Sequence, residues 1–126
     1  MTPFDIQLAE LHARHTGVSA TTLPSGTHLV IAPDVSLPDG WNRRSTTVRF
    51  LVQSSYPYAK PDCFWTDADL RLATGAMPTN TGQNPIPEMP GQPCLWFSWH
   101  LEQWNPARDT LSTWFSVVCR RFGHLS

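Results

Sequence analysis

From Gly75 to Pro93 the chain passes through five prolines and three glycines with no apolar periodicity. Proline lacks an N–H and fixes φ, so neither a regular helix nor a central strand can run through this stretch. The domain must be built from elements on either side of a long irregular loop, and a loop of that length is either functional or disordered. The whole chain of 126 residues is one domain by size, residues 1–126. Its 40% hydrophobic content, with six Trp and six Phe, is enough for a single core.

Before the loop, Thr2-Pro3 opens a helix: Thr2 as N-cap, Pro3 at the first helical position, Asp5 in the first turn. Phe4, Leu8 and Leu11 form one apolar stripe, and Gly17 can end the element, so the spacing predicts a helix over residues 3–16. Three strand-like runs follow, at 18–23, 27–32 (closed by Pro33-Asp34) and 46–53, with turn signals between them. Phe64 and Trp65 suggest a fourth. After the loop, Asn105 and Pro106 are a good N-cap and first position, and Leu111, Trp114, Phe115, Val118 and Phe122 follow at helical spacing. This predicts a helix over about 106–122. The order is α+β: an N-terminal helix, an antiparallel meander of about four strands, a long Pro-rich loop, and a C-terminal helix packed on the sheet.

Charge and cysteine usage narrow the function. Charged residues are 15% and the formal net charge is −1, which offers no basic face for a nucleic acid or an anionic membrane. No apolar run approaches the ~20 residues that cross a bilayer. Three cysteines, an odd number, and the lack of a secretory signature at MTPFDIQLAE point to a reducing, cytoplasmic setting. No Cys-x-x-Cys or zinc-finger spacing occurs, so a structural zinc site is not expected, and there is no dinucleotide fingerprint or P-loop.

Chemistry therefore rests on side chains. Cys119 lies beside the stripe of the last helix and reads as core, as does Cys63 before Phe64-Trp65. Cys94 leaves the Pro-rich loop after Gly91 and Pro93, where a stiff, surface-near backbone suits a nucleophilic thiol. His100, six residues on, is the candidate to assist it.

Tyr56-Pro57, Pro61 and Phe64 resemble the Y-P-x-x-P-P-x-x-F segment of ubiquitin-conjugating enzymes. Gly91-x-x-Cys94-Leu95 resembles the segment around their active cysteine, and Trp104-x-Pro106 with the helix after it resembles the W-x-P and helix downstream of that cysteine. The likeness covers roughly residues 15–122, and the Trp-rich stretch around Phe97-Ser98-Trp99-His100 is most similar to the prokaryotic ubiquitin-conjugating-like family E. The resemblance implies the ubiquitin-conjugating fold, with the Pro-rich loop as the active-site loop. It also implies that Cys94 takes a ubiquitin-like protein from an adenylating, activating-enzyme-like (ThiF-type) protein as a thioester and passes it to an amine on a target protein. No cofactor is then needed on this chain.

The sequence departs from that pattern at one place. Relatives carry His-Pro-Asn about eight residues before the cysteine, whereas position 86 here is Ile. Asn80 or Asn84 is displaced into the role, or His100 supplies the polar group. Two other readings stand beside conjugation: a catalytically inactive domain of the same fold that binds a ubiquitin-like protein or its activating enzyme, and a thiol hydrolase using Cys94, His100 and Glu102.

Overall fold

The computed structural model describes every residue from Met1 to Ser126. Helix α1 (Pro3–Arg14) is followed by strands β1 (Ser19–Thr22), β2 (His28–Ser36), β3 (Ser45–Val52), β4 (Phe64–Asp67), β5 (Thr81–Gln83) and β6 (Cys94–Phe97), then helix α2 (Leu111–Arg121). The six strands form one sheet in the order β1-β2-β3-β4-β6-β5, antiparallel throughout. The α+β class and the two helices agree with the sequence; the sheet has six strands where the pattern predicts about four.

The two additional strands are β5 and β6, at the far edge. β5 is only Thr-Gly-Gln, a sequence with little strand propensity of its own. It exists because β6 lies beside it, and β6 in turn pairs with β4 from Phe64↔Phe97 to Asp67↔Cys94. The Pro-rich stretch is thus interrupted by a strand at Thr81–Gln83 and folds back over the sheet between residues 84 and 93. β2 also runs past Pro33-Asp34, which breaks the register between Ala32 and Val35 rather than ending the strand. Asp34 takes the left-handed φ of 53° that this irregularity requires.

Both helices start on capping boxes. At α1, Thr2 Oγ1 accepts the Asp5 N–H at 3.1 Å and the Asp5 carboxylate accepts the Thr2 N–H at 3.1 Å. The Thr2 N–H and, at 2.9 Å, the Thr2 hydroxyl both donate to the Asp5 carboxylate and hold it below its ordinary pKa. At α2 the cap is Thr110, not Asn105. Asn105 instead closes a separate turn, its side chain accepting the Ala107 N–H at 2.9 Å while Asp109 accepts the Asn105 N–H at 2.7 Å. The helix therefore begins five residues later than Asn105-Pro106 suggests.

The pleat sends alternate residues to opposite faces. The inner face (Val30, Val48, Phe50, Phe64, Leu95, Phe97) packs with Phe4 and Leu11 of α1 and Leu111, Trp114 and Val118 of α2 in one core of 20 buried residues. Tyr56 ties the helices together: its hydroxyl donates to Gln7 Oε1, which also accepts the Leu111 N–H at 3.1 Å. Buried Arg121, at the end of α2, donates to the carbonyls of Thr79 and His124 and to a main-chain oxygen of Ser126, and lies over the rings of Phe97 and Trp99. The outer face carries a second cluster of Leu23, Leu29, Trp65 and Cys94, roofed by Ile86. No helix is long and apolar enough to cross a membrane.

Candidate functional site

The β4–β6 ladder places chemistry at both ends. At one end Cys94 stands opposite Asp67. Asp67 is fixed by Arg43 at 3.0 Å, Arg49 at 3.5 Å, the Thr46 hydroxyl at 3.1 Å and the Thr47 N–H at 3.2 Å. Trp65, Asp67, Cys94 and Trp96 share the outer face by strand alternation and pairing, and Arg49 pairs with Trp65. Contrary to the expectation from sequence, Cys94 is not on a surface-near loop: it begins a strand and is 3% exposed. The reason is the roof. Ile86 is buried against the same cluster and Met89 packs beside it. Glu88 secures the roof to the β1–β2 turn, accepting from the Ser25 N–H at 3.1 Å and the Ser25 hydroxyl at 2.7 Å.

Cys94 still reaches open space. With Gln83, Asn84, Pro85, Pro90 and Pro93 it lines a cavity of about 240 Å³ that opens to solvent. Asn84 is thus the asparagine that the structure brings to the cysteine, and Gly82 makes room for it: a Cβ there would sit 3.1 Å from Asn84 Nδ2. Asn80 instead takes a left-handed turn before β5, its carbonyl accepting the Ser98 N–H at 2.8 Å. Burial pushes the Cys94 thiol up from its ordinary pKa; the Arg49 charge pulls it down and Asp67 pushes it up further.

His100 is at the other end. The Cα atoms of Cys94 and Phe97 are about 10 Å apart along β6 at ~3.3 Å per residue, and His100 lies beyond Phe97. The structure does not bring His100 to Cys94. Its Nδ1 is hydrogen-bonded to Asp62, 38 positions away in sequence, and its Nε2 faces the Ser98 hydroxyl at 3.5 Å. His100 and Asp62 are 54% and 50% exposed at the side chain, so this group is open to a macromolecular partner. Cys63 adjoins it: one donor atom each from Asp62, Cys63 and His100 lie within 4.8 Å of one another. Cys63 is half-buried rather than core and takes φ 61°, its N–H donating to the Trp99 carbonyl at 3.0 Å. Burial and Asp62 both raise its thiol pKa. Cys119, expected in the core, is exposed on α2. Sequence spacing gives no sign of the Asp62–His100 pair, because a contact across 38 positions exists only once β4 and β6 are side by side.

The sequence profile of prokaryotic E2 family E matches residues 10–123. The chain belongs to this family. The match spans both ends of the β4–β6 ladder and every strand of the sheet. The α+β architecture with one antiparallel sheet is consistent with an E2-like fold. An E2-like family is one whose members act, in general, with a ubiquitin-like protein and its activating enzyme. No curated protein and no solved structure matches the chain significantly.

Proposed function

We propose that the chain is a conjugating-type domain that accepts the C-terminal carboxyl of a ubiquitin-like protein as a thioester on Cys94 and transfers it to an amine. The observation that carries this reading is the groove: in a chain of an E2-like family, Cys94 lines an open cavity together with Asn84. Thiolate attack on an activated glycyl carbonyl forms the C–S bond and expels the activating enzyme's thiol. The Asn84 amide is the donor for the resulting oxyanion, and the Arg49 guanidinium favours the thiolate against burial. With Cys94 only 3% exposed, the roof at 84–93 must shift before a carrier protein docks. The partners are then the modifier, its activating enzyme and a target protein.

The same burial, with the raised thiol pKa, supports a second reading: a domain that binds the modifier or the activating enzyme without being charged. A charging assay separates the two. With the cognate activating enzyme, modifier and ATP, a thiol-sensitive adduct on a non-reducing gel that is lost in Cys94→Ala supports the carrier role. Binding without an adduct supports the second reading.

A further inference from the structure

The open end of the ladder has a chemistry of its own, independent of Cys94. We propose that Ser98, His100 and Asp62 form a second acyl-acceptor centre, in which the Ser98 hydroxyl takes an acyl group from a C-terminal thioester and holds it as an oxyester. This rests on the E2-like reading for the class of substrate, an activated carboxyl at the end of a ubiquitin-like protein. It rests on geometry for the residues.

A carboxylate on Nδ1 fixes the imidazole tautomer: Nδ1–H donates to Asp62 and the Nε2 lone pair is left to accept. Nε2 faces Ser98 Oγ at 3.5 Å. That is longer than a formed O–H···N bond, as catalytic pairs often are before substrate draws them together. Nucleophile, base and orienting acid thus stand next to one another in the order acyl transfer needs. The competing nucleophile is Cys63, whose thiol lies within 4.8 Å of a His100 ring nitrogen. Burial and then the Asp62 charge beside it oppose a thiolate there. Ser98 lies on the nitrogen that Asp62 leaves free. The backbone N–H groups of His100 and Leu101 make no hydrogen bond to another backbone group. Beside the centre, His100 also lines an open groove with Trp99, Leu101, Glu102 and Arg120, a channel for an extended tail.

In the step, Ser98 Oγ bonds to the carbonyl carbon as its proton passes to His100 Nε2. The tetrahedral intermediate collapses with cleavage of the C–S bond, and the proton leaves with the departing thiol. No oxidant, metal or further reactant is consumed. Ser98 lies four residues from Cys94, about 13 Å along an extended strand. The acyl group therefore arrives from the donor thioester directly, and the two acceptors act separately.

A small probe tests this without the natural modifier. The full chain is incubated with a fluorescein-labelled Gly-Gly benzyl thioester and analysed by gel and peptide mass. The expected adduct survives dithiothreitol, is cleaved by hydroxylamine and maps to Ser98. It is absent in Ser98→Ala, and its formation slows on the order of 100-fold in His100→Gln. Ser98→Cys turns it into a dithiothreitol-labile adduct at the same position, which a misfolded variant could not give. The proposal is overturned if all label resides on cysteine, or if Ser98 is labelled at the same rate in His100→Gln. Cys94→Ala keeps the two readings apart: loss of a thiol-labile adduct tracks Cys94, while the thiol-resistant one persists if Ser98 acts.

Discussion

The two faces of the sheet are covered in different ways. The inner face is covered by two capped helices whose apolar stripes interlock with alternate strand residues in a core of 20 buried side chains. The outer face at β4 and β6 is covered by a proline-rich segment that has no helix or strand between residues 84 and 93. There five buried residues suffice. Burial at ~25 cal/mol per Å² makes the large face the source of stability. The roof holds Cys94 out of water with few contacts, so it can be displaced without unfolding the domain.

Substitutions on the two faces should differ in their cost. The largest loss is expected on the inner face. Trp114→Ala removes a fully buried ring that meets Phe50 edge-on, and should cost about 3–5 kcal/mol in chemical denaturation. Ile86→Ala, on the roof, should cost about 2 kcal/mol, at the low end for a buried aliphatic, because the segment can settle. It should also speed iodoacetamide modification of Cys94. A loss as large as that of Trp114→Ala would mean that the roof is part of the core. In wild type Cys119 should be alkylated before Cys94, since it is exposed and Cys94 is not.

Tyr56→Phe should cost about 1 kcal/mol at neutral pH through the lost bond to Gln7. Its pH dependence is the more telling result. Burial and then Asp109 raise the Tyr56 pKa, so the folded state keeps its phenol proton longer than the unfolded chain does. Stability from this source is complete below the ordinary tyrosine value of about 10 and falls as the pH climbs above it. Denaturation midpoints between pH 9 and 11 should decline less steeply in Tyr56→Phe. The smallest effect on stability belongs to Glu88→Ala, under about 1 kcal/mol because its bonds to Ser25 are exposed. Cys94 alkylation should nonetheless rise while that of Cys119 stays the same. An unchanged Cys94 rate would show that Glu88 does not secure the roof.

The inner face is legible in the sequence and the outer face mostly is not. Phe4, Leu11, Leu111, Trp114 and Val118 announce themselves by helical spacing, and Val48, Phe50 and Val52 by alternation. These are local signals. Thr81–Gln83 and Cys94–Phe97 are strands only through partners supplied from β4, so no window of sequence contains the reason. The same holds at the candidate sites. The motif around Cys94 marks that residue, but its burial depends on Ile86 folding back. Asn84 can be named from sequence and not placed. Spacing pairs His100 with Cys94, whereas the fold gives it Asp62 and Ser98.

Arg121 makes one joint of the molecule indifferent to dissolved salt. The residue is 1% exposed, and its two shorter hydrogen bonds, 2.9 Å each, go to the neutral carbonyl oxygens of His124 and Thr79. The fold has assembled for this cation a hydration shell made of its own backbone. Dissolved ions screen charge against charge, as in the exposed Arg43–Asp69 pair, but they have little hold on a charge gripped by fixed dipoles away from water. The knot joining the end of α2 to the approach to β5 therefore stays tied in brine, while the molecule's surface pairs let go.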